Sequence, residues 1–101
     1  MFIYNITAKV NTSIIDEWVK WQQEEHIPEI MATDLFSDYK FFRLLEHDDS
    51  DGATFIVQYH TLHRINYEKY IQDHAASLRE KAIKKWGDGF IAFRSLLQSV
   101  Q

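Results

Sequence analysis

The sequence contains no cysteine, which excludes a disulfide framework, a zinc–thiolate site and a thiol nucleophile. It also lacks any run of basic residues, and its formal net charge is −4. Nucleic-acid binding depends mainly on Lys and Arg contacts with phosphate, and anionic membranes attract the same side chains. The composition therefore predicts that neither nucleic acid nor a membrane surface is a partner.

Long apolar runs are missing as well. No stretch approaches the length of a transmembrane helix, and the opening Met1–Asn5 has neither a positive region nor an extended apolar segment. These absences predict a cytoplasmic protein. A chain of 101 residues is expected to form a single domain, residues 1–101.

Hydrophobic periodicity is the strongest positive signal in the chain. Residues 2–10 alternate in the period of two that is typical of a β-strand. Three further segments alternate in the same way, and a turn containing Asp51 and Gly52 joins the second predicted strand to the third. The predicted strands are residues 2–10, 38–46, 54–61 and 90–98.

Two segments between these strands have the 3.6-residue period of an amphipathic helix. The first begins near Ser13, which can form a capping box with Asp16, and Pro28 is expected to kink or end it near Ile27. The second runs over residues 62–86 and ends at a pair of glycines. The predicted inward stripes are Ile15, Trp18, Gln22, His26 and Ile30, and then Tyr67, Tyr70, Ile71, His74, Leu78 and Ala82.

The order strand, helix, strand, strand, helix, strand predicts an α+β fold of the ferredoxin-like βαββαβ type. Its four-stranded antiparallel sheet has two helices on one face, because right-handed crossovers place both on the same side. The opposite face ought to be polar, yet the second and fourth strands carry large apolar side chains on both faces. These include Tyr39, Phe41, Phe42, Leu44, Phe90, Ile91, Phe93 and Leu96.

An open apolar face of this size is not expected on an isolated monomer. Packing it against its two-fold mate buries it, so we expect a homodimer joined through the open sheet face. The alternation leaves open which set, the one with Phe42 and Phe93 or its neighbours, faces the partner. The alternative is that the terminal segments fold over this face.

Several short segments resemble an uncharacterised family of bacterial proteins of about this length, over nearly the whole chain. They are Trp18, Trp21, His26-Ile27-Pro28, Leu35-Phe36, Tyr67, Tyr70, His74-Ala75, Leu78-Arg79, Gly87-Asp88 and Phe93-Arg94. The overall plan is similar to the dimeric α/β barrel superfamily. That group includes antibiotic-biosynthesis and haem-degrading monooxygenases, muconolactone isomerases and small stress-induced proteins.

The resemblance to the monooxygenases implies a cleft between sheet and helices. It would be lined by an Asn early in the first strand, an aromatic residue, and an Arg or His. Asn5 matches the first position. Trp18 or Trp21 matches the second, and His26 or His74 matches the third.

Two histidines on inward helix stripes carry the site prediction. His26 and His74 are expected to line a helix–sheet cleft with Trp18, and Asn5 and Arg43 are further polar candidates. Imidazole is the side chain best suited to proton transfer near neutral pH. The alternative is that both histidines are structural, with His26 stabilised near the end of the first helix.

Arg43 and Arg94 alternate with apolar residues on strands expected to be interior, so each needs a carboxylate partner. Intramolecular ion pairs are the simpler interpretation, and a ligand carboxylate held in bidentate fashion is the alternative. The candidate partners within the chain are Glu25, Glu29 and Asp73.

No metal site is predicted. His60 and His63 have no third ligand nearby in sequence, and Asp48, Asp49 and Asp51 fit a solvated hairpin tip.

Three functions therefore remain open on the sequence. The first is a dimer that binds a small organic molecule, with no cofactor. The second is a cofactor-independent or haem-dependent monooxygenase. The third is a structural or regulatory dimer without a ligand site.

Overall fold

The computed structural model describes residues 1–101 and has the predicted architecture. Four antiparallel strands form one sheet in the order β2-β3-β1-β4, with two helices packed on one face. The predicted fold class is therefore confirmed. The strands are β1 (Phe2–Val10), β2 (Asp38–Arg43), β3 (Ala53–Thr61) and β4 (Phe90–Gln98), and the helices are α1 (residues 15–31) and α2 (residues 64–86). None of the helices is long and apolar enough to cross a membrane.

Strand β2 is shorter than predicted. The sequence pattern extends to residue 46, but pairing with β3 ends at Arg43. Glu46 has a left-handed backbone with φ of 54°, which turns the chain away from its partner strand. The loop returns at Gly52, where φ is 151° and an added Cβ would clash with the carbonyl oxygen of Val10. Glycine is required there because the backbones approach so closely.

Helix α1 continues through Pro28 to Met31, so it does not end near Ile27, and the irregularity associated with Pro28 is a π-turn that ends at His26. Its three parts are Ile15–Trp21, a π-helical turn Gln22–His26, and Ile27–Met31. A proline lacks the amide hydrogen and its ring clashes with the carbonyl four residues earlier. The wider π-turn directly before Pro28 accommodates both effects. The predicted capping box is also absent, because Ser13 lies in a 3-10 turn and makes no capping hydrogen bond.

Helix α2 contains a π-turn of its own, Ile71–Ala75, between Arg64–Tyr70 and Ala76–Trp86. The extra residue in a π-turn rotates the helix face that follows it. Ala75 is buried there, whereas the predicted inward residue His74 is half-buried. The helix ends as predicted at Gly87, whose φ is 57°.

The core has two apolar clusters, both between the helices and the sheet. One is centred on the rings of Tyr4, Phe36 and Tyr70, and the other on Trp18 and Phe55. The strand residues in both clusters lie on the same face of the sheet, as the pairing of Tyr4 with Tyr59 and of Ala8 with Phe55 shows. This is the face that the helices cover. The cavity described below lies where the two clusters meet.

The opposite sheet face is open, and the structure shows which of the alternating side chains lie on it: the set that includes Phe42 and Phe93. The exposed fractions are 45% for Phe42, 61% for Ile91, 69% for Phe93 and 41% for Leu97. The terminal segments do not cover this face, because Ser99 pairs with Met1 at the sheet end and Val100 is 97% exposed. A polar pair crosses its centre, where Gln58 Nε2 donates to Asn5 Oδ1 at 3.2 Å.

Candidate functional site

A cavity of about 30 Å³ lies between the sheet and the two helices. Its walls are mostly apolar and come from α1, α2 and three of the strands, β1, β3 and β4. Seven of the lining side chains carry polar atoms. They are Trp18, Trp21, Gln22, His26, Tyr59, Arg79 and Arg94.

Four of these seven side chains carry a buried polar atom that has no hydrogen-bond partner within the protein. The atoms are Trp18 Nε1, Gln22 Oε1, Tyr59 Oη and Arg79 Nε. The residues Trp18, Gln22 and Tyr59 are 1%, 7% and 0% exposed. Buried polar groups are nearly always paired, and each unpaired one costs about 1–3 kcal/mol. Four residues with such atoms line one cavity, which makes this cavity the candidate site.

His26 lies at the end of the π-turn and packs on Trp21, with ring centroids 4.6 Å apart and planes at 20°. Burial lowers the pKa of His26 to about 4. The negative charge of Glu29 raises this pKa, and the positive charges of Arg94 and Lys81 lower it further. The imidazole is therefore neutral at pH 7, with one nitrogen that donates and one that accepts. Burial, with a smaller contribution from neighbouring tyrosines, raises the pKa of Tyr59. Its hydroxyl therefore keeps its proton and can donate a hydrogen bond.

Arg79 and Arg94 supply positive charge at the cavity. Neither forms an ion pair with a carboxylate of this chain, and no Asp or Glu lines the cavity. The expected partner Glu29 instead accepts from Lys81 at 2.8 Å. The predicted intramolecular ion pair of Arg94 is therefore not formed. β4 also proves to be an edge strand, not an interior one.

The structure brings together two of the five predicted site residues, Trp18 and His26. His74 lies outside the cavity and packs on Tyr70, with centroids 6.2 Å apart. Asn5 lies on the open face of the sheet, bonded to Gln58 and Thr7. Arg43, on the edge strand β2, pairs with Asp49 at 3.1 Å, not with the expected Glu25, Glu29 or Asp73.

Three of the four cavity residues with unpaired atoms, Gln22, Tyr59 and Arg79, were not among the site predictions. Arg79 is followed by Glu80 and Lys81 and resembles a solvated position. The buried Ala75 and Ala82, however, lie four residues before and three after it on the same helix face. That spacing of small residues was the available signal. Gln22 belonged to the predicted inward stripe, where a polar side chain among apolar ones was the clue. Tyr59 has no local signal, because its hydroxyl becomes unpaired only in the folded chain.

No group of three or more His, Asp or Glu side chains is placed to hold a metal ion. The side chains at the cavity are instead suited to hydrogen bonding and to balancing negative charge.

The lowered pKa of His26 predicts a pH dependence of stability. The unfolded chain binds a proton as pH falls through 6.5, whereas folded His26 does so only near 4. The free energy of unfolding should therefore fall between these values, by at most about 3 kcal/mol, and lose nothing further below them. Urea midpoints measured from pH 7 to 4 at one protein concentration should fall less steeply for His26→Gln. The exposed His47→Gln should follow the wild type, and equal slopes for all three proteins would contradict the prediction.

Comparison with known proteins gives a family but no activity. A family model described as "Domain of unknown function (DUF4286)" matches residues 1–100. No curated protein matches the sequence. The predicted resemblance to an uncharacterised family is therefore confirmed.

Solved structures show the fold more broadly. An antibiotic biosynthesis monooxygenase is 14% identical with a TM-score of 0.67, over 100% of both chains. A dimeric ferredoxin-like protein from an uncultured marine organism is 12% identical with a TM-score of 0.67, over 100% of this chain and 96% of that one. SnoaB, a cofactor-independent oxygenase from Streptomyces nogalater, is 9% identical with a TM-score of 0.65, over 99% and 94%. At these identities the likeness shows the ferredoxin-like, dimeric α/β barrel fold and not an activity.

Proposed function

The chain belongs to the DUF4286 family of unknown function, and from this premise we propose that it is a homodimer that binds a small organic molecule in the helix–sheet cavity. One observation carries the proposal. Trp18, Gln22, Tyr59 and Arg79 all line the same cavity, and each carries a buried polar atom without a hydrogen-bond partner. A ligand that pairs these atoms would offset a cost that folding alone leaves in place.

The local backbone supports the same interpretation. Gln22 and His26 are the first and last residues of the π-turn in α1. Such turns are rare and occur frequently at functional sites, because they re-aim side chains at some cost to helix regularity. Here the π-turn brings both side chains to the cavity wall.

The homodimer is supported by the open sheet face. Phe42, Ile91, Phe93 and Leu97 form an exposed apolar surface that no other part of the chain covers. A two-fold contact of standard size, on the order of 1,600 Å² in total, would bury it. A cytoplasmic location and a single domain over residues 1–101 stay predictions from the sequence.

Tyr59→Phe tests whether the cavity binds a ligand. The substitution removes only the unpaired hydroxyl of a fully buried residue. We expect it to raise the melting temperature, because about 1–3 kcal/mol of desolvation cost disappears, and to weaken binding. A library of small aromatic molecules is screened by thermal shift against the wild type, and each hit is titrated into both proteins.

Tyr67→Phe is the matched control, because Tyr67 packs on Tyr4 but does not line the cavity. It should bind every hit with wild-type affinity. A lower melting temperature for Tyr59→Phe would show that its hydroxyl is structural. A screen without hits, or hits that bind Tyr59→Phe unchanged, would contradict a ligand site here.

A further inference from the structure

A second, more open pocket adjoins the cavity and shares part of its lining. This outer pocket has a volume of about 200 Å³ and shares Arg79, Phe90, Ala92 and Arg94 with the inner cavity. Its remaining walls are Ile83 and Gly87. The two spaces thus meet at a boundary formed by two arginines and two apolar residues. The outer pocket has room for an apolar group the size of one aromatic ring, whereas the inner cavity fits only a few heavy atoms.

The chemistry of the two spaces differs from that of the rest of the chain. The protein carries a net charge of −4, yet neither space is lined by an Asp or a Glu. Three of the four unpaired atoms are donors, those of Trp18, Tyr59 and Arg79, and only Gln22 Oε1 is an acceptor. Such a set of donors beside two guanidinium groups is complementary to an anion with several acceptor lone pairs.

We propose, resting on the proposed function, that the ligand is an organic acid with an apolar body. Its carboxylate would lie in the inner cavity and accept from Arg79, Trp18 and Tyr59. Its body would lie in the outer pocket against Ile83, Phe90 and Ala92. A guanidinium group matches the planar carboxylate in shape as well as charge. Arg94, at the boundary, adds charge without reaching a carboxylate of its own chain.

Phenylacetate and phenylacetamide form a matched probe pair, since they have the same shape and differ in charge. Each is titrated into the ¹⁵N-labelled protein while the tryptophan indole N–H signals are recorded, with the Trp18 signal identified from its loss in Trp18→Phe. We expect phenylacetate to shift the Trp18 signal with at least tenfold higher affinity than phenylacetamide. Arg79→Gln should lose this preference and leave the affinity for phenylacetamide within twofold.

Arg43→Gln is the control, because Arg43 pairs with Asp49 on the hairpin and lines neither space. It should keep the full preference for phenylacetate. Arg94→Gln replaces a more exposed arginine and gives a second test if Arg79→Gln does not fold. Equal or tighter binding of phenylacetamide would overturn the acid proposal and leave a ligand site standing. No shift of the Trp18 signal with either probe would count against both proposals.

Discussion

Replacement of Phe93 by glutamate is expected to convert the proposed homodimer into monomers at micromolar concentration. Phe93 is 69% exposed and lies on the open face of edge strand β4. A central aromatic side chain in an interface commonly contributes about 2 kcal/mol or more. A two-fold dimer carries each substitution twice, so the loss is about 4 kcal/mol, or about 1,000-fold in the dissociation constant. Sedimentation velocity across a concentration series would measure this.

Leu62→Glu provides the control for surface charge. Leu62 is 66% exposed, close to the value for Phe93, but it lies outside the sheet, just before α2. The variant should sediment as the wild type does. A wild-type protein that is monomeric throughout the series would remove the argument from the open face. A Phe93→Glu variant that stays dimeric would place the contact elsewhere.

Truncation of Trp18 to alanine should cause the largest loss of stability among single substitutions at the cavity. Trp18 is 1% exposed, and its ring lies 5.4 Å from that of Phe55 and 6.3 Å from those of Phe41 and Phe90. A large aromatic-to-alanine change in a core costs about 3–5 kcal/mol. For a domain of this size the melting temperature would fall by about 15 °C or more. Differential scanning calorimetry would give the value.

Trp18→Phe separates the ring from the indole N–H. It keeps an aromatic side chain among Phe41, Phe55 and Phe90 and removes the unpaired donor, so its loss of stability should be well below that of Trp18→Ala. Nearly equal losses for the two variants would mean that packing around Trp18 contributes little. A melting temperature for Trp18→Ala within a few degrees of wild type would contradict the two-cluster description of the core.

Local patterns were sufficient for most of the fold. The predicted limits of β1 and β4, residues 2–10 and 90–98, agree with the structure, and β3 differs by one residue. Alternation over nine residues is a strong signal because every second side chain must face the core. At β2 the alternation outlasts the partner strand, so the pattern alone placed the end of β2 three residues too late. Which side chains of a strand face the core can be read from neighbouring residues, but where the strand ends depends on a partner strand that lies elsewhere in the sequence.

The helices show where local reasoning loses accuracy. A period of 3.6 assumes that the phase is constant, and each helix changes phase at a π-turn. In α2 this change buries Ala75, leaves His74 half-buried outside the cavity, and brings Arg79 to the cavity wall. In α1 Pro28 predicts an irregular helix, and the backbone forms a π-turn before it and then continues as a helix to Met31. Pro28 thus indicates an irregularity in α1 but not its form, and no residue marks the π-turn in α2.

Composition and periodicity therefore established the fold class, the open apolar face and the place of Trp18 and His26 on an inward helix stripe. These features depend on residues close together in the chain. The cavity depends on residues far apart, since β1 brings β3 and β4 together and thus Tyr59 and Arg94 to the same face. In the folded chain Asn5 accepts a hydrogen bond from Gln58, and Arg43 forms an ion pair with Asp49. The buried atoms Tyr59 Oη and Arg79 Nε, in contrast, have no hydrogen-bond partner. Which polar atoms remain unpaired is a property of three-dimensional packing, because a partner can come from any part of the chain.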